Sequence, residues 1–166
     1  MRNAKRRGEV IELDFLSKAA AMGFTVTKPY GDSEPYDFIV DSGNRLWRVQ
    51  VKSSAHLHRR AYQVIAHHCL GEQTMGAYTA EEIDILAAYI VPAKAWYIIP
   101  VSAFAPAQAI YLFPHIAGRG RHEQFREAWF LMACRHGGEP KNGIVTSPPC
   151  NYCPLSGKTC LGCERK

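Results

Sequence analysis

Asp37, Gln50 and Lys52 are the residues of this 166-residue chain whose types and spacing could do chemistry together. The stretch 35–52, PYDFIVDSGNRLWRVQVK, reads as a strand, a tight turn and a returning strand. Asp37 enters the first strand, and Asp41-Ser42-Gly43-Asn44 supply the turn chemistry. On the return, Trp47, Val49 and Val51 alternate with Arg48, Gln50 and Lys52, so the two sets point to opposite faces. The apolar set packs a core, which predicts that the polar set faces water. A carboxylate, a carboxamide and an ammonium then converge on one patch of sheet, a combination suited to a cation and a phosphate. Solvation alone would also account for a polar strand face; a second carboxylate upstream favours the chemical reading.

That carboxylate is Glu12. Residues 7–22, RGEVIELDFLSKAAAM, predict a helix stopped by Gly23. At about 100° per residue, Ile11, Leu13, Phe15, Leu16, Ala19 and Ala20 form one broad apolar stripe. Asp14 and Lys18 lie opposite as an i, i+4 pair. Glu12 falls near the middle of the stripe, where an unpaired carboxylate would cost several kcal/mol. It is therefore a candidate buried functional acid, whereas Glu9 at the stripe's edge reads as an acid of the first helical turn.

The elements that must position these groups follow in order. A short strand is expected at 24–27, a basic loop at 53–60, a strand at 62–66 and a surface loop at 70–80. Two apolar strands, 83–91 and 96–101, are joined by a turn at Pro92-Ala93-Lys94, and 110–113 is a further short strand. A second helix is expected at 122–135, ended by Gly137-Gly138. Helix, run of strands, helix is an α+β order. The length suits one domain, residues 1–140, with a small appendage, residues 141–166.

Hydrophobic content of 47% fits a globular chain, and no apolar run approaches the roughly 20 residues that span a bilayer. The basic N-terminus is not followed by the apolar stretch of a secretory signal, so a cytoplasmic location and no membrane partner are expected. The net charge of +5 is unevenly spread. Between residues 42 and 71 there is no Asp or Glu, while Arg45, Arg48, Lys52, Arg59 and Arg60 are there with four histidines. Arg2, Lys5, Arg6 and Arg7 form a second basic group, and Arg119, Arg121 and Arg126 a third. Three such groups around a phosphate site point to nucleic acid.

Residues 150–166 hold four of the six cysteines, a distribution that suggests metal binding in a reducing compartment. Cys150-x₂-Cys153-x₆-Cys160-x₂-Cys163 could close tetrahedrally on Zn²⁺. An iron–sulfur cluster uses the same ligands, and the spacing does not separate the two. Cys69 and Cys134 are single and flanked by apolar residues, which reads as core or incidental. No histidine pair has metal-ligand helix spacing, and His67 and His68 are expected on opposite faces of a strand.

Gly8-x-x-x-Glu12, Gly31-Asp32 with Pro35-Tyr36-Asp37, and Gln50-Val51-Lys52 together resemble the PD-(D/E)xK nuclease superfamily. The resemblance is to the branch with glutamine in the third motif, the group I intron-associated homing endonucleases. Residues 81–101 and 118–129, EEIDILAAYIVPAKAWYIIPV and GRGRHEQFREAW, resemble the same group. The similarity runs from residue 5 to about residue 134 and leaves out the cysteine-rich tail. It implies a restriction-endonuclease-like fold, a mixed β-sheet flanked by helices, and Mg²⁺-dependent hydrolysis of phosphodiester bonds in double-stranded DNA. It also implies that Asp37 binds the metal, with the Val51 carbonyl as a further ligand. Gln50 replaces the more usual acid; Lys52 orients the attacking water or helps deprotonate it. Glu12 completes the site directly or through water. A carboxamide is a weaker ligand than a carboxylate for a hard cation, so Glu12 gains importance. A Holliday-junction resolvase, a restriction-like nuclease and a catalytically weak DNA-binding module are the alternatives on this fold. Long DNA sites are commonly read by symmetric assemblies, which makes a dimer or tetramer the expected state.

Overall fold

The computed structural model describes residues 4–31, 33–69, 75–116 and 118–133. The first helix, α1 (Ala4–Ala21), buries Ile11, Phe15 and Ala19, a single i, i+4 line. Leu13, 66% exposed, and Leu16 and Ala20 face outward, so the buried stripe is narrower than the periodicity predicts. Phe15 is the reason one line suffices: it stacks on Phe38 at 5.4 Å and meets the edge of Trp96 at 5.6 Å. Gly23, at φ 87°, ends the helix in the left-handed conformation a side chain would disfavour.

Strands β1 (Thr25–Thr27), β2 (Phe38–Asp41) and β3 (Leu46–Ser54) follow, then two short hairpins. The first pairs β4 (Leu57–His58) with β5 (Ala61–Ile65), and the second pairs β6 (His67–Cys69) with β7 (Met75–Ala77). Strands β8 (Ile85–Ile90), β9 (Ala95–Pro100) and β10 (Ala109–Leu112) complete the sheets, and α2 (Phe130–Ala133) is a last short turn of helix. The main sheet has the order β1-β2-β3-β8-β9, with β3 antiparallel to β2 and parallel to β8. A second sheet, β10-β5-β4, stands apart from it. Of the main sheet's strands, β3 keeps one polar face, whereas β8 is apolar on both faces and β9 is buried along its whole length. This is the pattern of strands covered on both sides.

Three expectations are corrected here. The predicted basic loop at 53–60 is instead the end of β3 followed by the β4–β5 hairpin. Part of the predicted surface loop at 70–80 is β7; residues 70–74 lie outside the described residues. The predicted helix at 122–135 is broken into a 3-10 turn at Glu123–Phe125, a β-bridge from Arg126 to Tyr97, and α2.

Glu127 explains that break. Its φ of 50° is incompatible with a continuing right-handed helix. Its backbone N–H donates to the Trp96 carbonyl at 2.8 Å, and its carboxylate accepts from Trp96 N–H at 2.8 Å, Lys18 at 2.6 Å and Trp129 Nε1 at 3.0 Å. Burial would raise this carboxyl, but those donors hold it below its ordinary range. The expected Asp14–Lys18 pair gives way to the same contacts, because Lys18 goes to Glu127 and Asp14 accepts from Trp96 Nε1 at 3.2 Å. Cys134 and the tail cysteines Cys150, Cys153, Cys160 and Cys163 lie outside the described residues.

Candidate active site

The β2–β3 hairpin places the site. Its turn closes through Ser42 N–H to the Arg45 carbonyl at 3.1 Å and Gly43 N–H to Asp41 Oδ1 at 2.7 Å, with Gly43 at φ 78°. The register that follows sets Phe38 opposite Val49, and Asp37 N–H donates to the Val49 carbonyl at 2.9 Å. The Asp37 carboxylate then meets the next stretch of β3. Its Oδ2 accepts from Gln50 Nε2 at 2.6 Å and from Val51 N–H at 2.8 Å.

Gln50 is only 7% exposed, which corrects the expectation that the polar face of this strand opens to water. Its same-face neighbours crowd it: the Asp37 carboxylate takes its amide on one side, and Leu86 of β8 is its cross-strand partner on the other. A buried carboxamide must find partners, and Nε2 donates both to Asp37 Oδ2 and to the Val51 carbonyl at 3.2 Å. Asp37 and Val51 therefore direct two oxygens at one point. Lys52 is half-buried, two residues further along the strand, with its Nζ 5.9 Å from the centre of the Tyr78 ring. Tyr78 is buried, and burial, then Asp37 and Glu82, push its phenol well above its ordinary range.

Glu12 lies beside the buried line of α1, not in its middle. Its side chain is 25% exposed and ion-paired with Lys28 at 2.7 Å. Lys28 was not anticipated from the sequence. It follows β1 by one residue, and the β1–β2 register, Thr27 opposite Ile39, brings it beside the Asp37 end of β2. A three-residue strand gives no readable pairing signal, although an uncompensated lysine next to Pro29 was the available hint.

These charges act on Asp37. Burial is the largest influence on its carboxyl and raises it, with Glu12 adding to the rise. The Val51 N–H, Lys52 and Lys28 pull the other way, and the net shift is upward. Asp37 is thus an anion held in unfavourable surroundings, which a cation would relieve. The available donors are all oxygens: the Asp37 carboxylate, the Val51 carbonyl, the Gln50 carboxamide after half a turn of its amide, and Glu12 once released from Lys28. Such a set fits a hard divalent cation that keeps several waters, as Mg²⁺ does. Among the described residues no cluster of three or more His, Cys, Asp or Glu forms a softer site.

The basic groups separate into two kinds. Arg45 and Arg48 both turn to Asp84, at 2.7 Å and 3.2 Å, so the sheet itself neutralises them. Arg126 pairs with Glu123 at 3.3 Å. Arg59 and Arg60 are exposed.

A family model described as PD-(D/E)XK endonuclease matches residues 2–130. Among solved structures, the bacterial homing endonuclease I-Ssp6803I is similar at a TM-score of 0.70 and 28% sequence identity. That match covers 79% of this chain and 93% of the other. A comparison with curated proteins found no match.

Proposed function

The chain belongs to the PD-(D/E)XK endonuclease family, and on that premise we propose that it is a divalent-cation-dependent endonuclease cutting double-stranded DNA. The homing-endonuclease manner of action comes from its similarity to I-Ssp6803I. The observation that carries the reading is the meeting of Asp37 Oδ2 and the Val51 carbonyl at the Gln50 amide, with Lys52 next along the strand. Asp37, Val51, Gln50 and Glu12 would hold the cation, which supplies positive charge at a phosphoryl oxygen and lowers the cost of activating water. Lys52 brings an ammonium to the scissile phosphate, where it offsets charge that grows as water attacks, and it orients that water. The buried Tyr78 ring lies beside Lys52, its centre 5.9 Å from Nζ, and offers an aromatic face to the ammonium.

The test is a library of supercoiled plasmids with randomised inserts, alongside a four-way junction, with Mg²⁺ and with EDTA. Nicking or linearisation of plasmid that needs Mg²⁺ is the expected result. Binding without cutting would reduce the protein to a DNA-binding module, and junction-selective cutting would replace the homing reading by a resolvase.

Gln50→Glu gives a finer expectation. Without cation, the acid would lose the donor to Asp37 and oppose one carboxylate with another, costing about 1–3 kcal/mol. With Mg²⁺, the added charge should tighten binding. Thermal melts across a Mg²⁺ titration should therefore show a lower starting Tm and a larger Mg²⁺-dependent rise than wild type. An unchanged Mg²⁺ dependence would place residue 50 away from the cation.

A further inference from the structure

The β4–β5 hairpin carries a conformation that its residues disfavour. His58 pairs with Ala61, leaving Arg59 and Arg60 as a two-residue loop. Their φ values are 47° and 72°. Positive φ at both central positions is the type I′ pattern, normally supplied by Asn-Gly because its twist matches that of the strands. A residue with a β-carbon held there costs roughly 1–2 kcal/mol. Two arginines in succession are thus a poor choice for stability, and a local reason for keeping them is missing. Among the described residues neither guanidinium has a hydrogen-bond or ion-pair partner, whereas Arg45, Arg48, Arg121 and Arg126 are each tied to a carboxylate or a carbonyl.

The surroundings favour an anionic partner. His56, Leu57 and His58 are exposed beside the tip, and no acid occurs between residues 42 and 71. Arg60 also lines an open recess of ≈ 400 Å³ with Arg119 and His115, so the positive surface continues onto the turn before Glu123–Phe125. A two-stranded ribbon is of a width that the major groove of B-form DNA admits, and the arginine fork matches the two acceptors of a guanine edge. Arg59 follows Lys52 by seven positions, which puts the tip at most ~25 Å from the site. One duplex could reach both, since a helical turn rises ~34 Å.

We propose that the β4–β5 hairpin is a sequence-reading ribbon that enters the major groove of duplex DNA, with Arg59 and Arg60 contacting guanine edges. This rests on the nuclease reading, since it names how that enzyme recognises its substrate. The decisive variant is Arg59→Asn with Arg60→Gly, which installs the preferred turn. It should raise the Tm while weakening binding to duplexes that wild type selects from a random-sequence pool by roughly 100-fold or more, and it should flatten the salt dependence by up to two ionic contacts. Arg59→Lys with Arg60→Lys should keep affinity for unselected DNA and lose the preference for selected duplexes, because lysine lacks the bidentate fork.

If wild type neither binds nor cuts any duplex, the nuclease reading itself fails. If wild type binds and cuts but the Asn-Gly variant does so equally well with the same salt slope, the ribbon is overturned and the nuclease stands. A variant that loses binding together with Tm would make the arginines structural and overturn the proposal. Equal binding to double-stranded RNA would do the same, because the major groove of an A-form helix is too narrow for a ribbon.

Discussion

Lys52→Ala is expected to slow single-turnover cleavage by about 10³-fold or more while changing affinity for duplex DNA only slightly. The expectation follows from how little the fold asks of this lysine. Its β3 neighbours are Val51, buried, and Ser53, half-buried; it forms no ion pair among the described residues, and its Nζ lies 5.9 Å from the centre of the Tyr78 ring. Removing it breaks no ion pair among the described residues, but the buried Asp37 carboxylate loses one of the cations that offset its charge, so the variant should fold with at most a small loss of Tm in the absence of Mg²⁺. Its charge is left for a substrate. Cleavage time courses with anisotropy titrations on the same duplex separate the two effects. A Lys52→Ala protein that cuts at the wild-type rate would move the chemistry away from the β2–β3 hairpin.

Asp37→Asn should abolish Mg²⁺-dependent cutting and, in the absence of cation, make the protein more stable at neutral pH. Burial and Glu12 raise the Asp37 carboxyl in the folded state. A folded carboxyl that binds its proton more tightly than the unfolded one loses stability as pH rises through its folded value. Above that value the ionised carboxylate carries the full penalty; below the ordinary carboxylate value near ~3.9 the penalty is absent. The advantage of Asp37→Asn should therefore be greatest above the folded value and shrink as pH falls toward that lower bound. Urea midpoints at both ends of this window measure it. Adding Mg²⁺ should stabilise wild type and leave the variant unmoved. A variant less stable than wild type at pH 7 would make Asp37 a structural partner of Lys52 and Lys28.

The geometry of the candidate site was readable to the degree that its parts are local. Asp37, Gln50 and Lys52 lie on one hairpin whose turn residues and alternation are contiguous, and the structure brings Asp37 and Gln50 into contact at 2.6 Å. Glu12 was singled out as an acid near the middle of an apolar stripe, whereas the structure sets it beside the buried line and pairs it with Lys28. Lys28 and the burial of Gln50 depend on strand neighbours, β1 with β2 and β3 with β8, that no local pattern specifies. The helix expected at 122–135 failed for the same reason, since Trp96 and Lys18 take up Glu127 from distant parts of the chain. The β4–β5 turn was missed because two arginines contradict turn chemistry, and a local rule is least reliable where another demand has displaced it.

The parallel pairing of β3 with β8 also sets the order in which the molecule can assemble. The β2–β3 hairpin closes a loop of a few residues, whereas joining β3 to β8 requires the whole intervening stretch, residues 55–84, to be gathered first. Loop-closure entropy grows with that length, and parallel closures are slow. The oxygens of Asp37 and Val51 thus come together with the early hairpin, while the cover that buries Gln50 arrives with β8. Mutational φ-values should then be high at Val40 and Val49 and low at Leu86 and Ile98, and the reverse ranking would mean the sheet closes from its far side. Until the late step is complete, the nascent cradle is open to water, and cations present during refolding meet an anion not yet made unfavourable by burial.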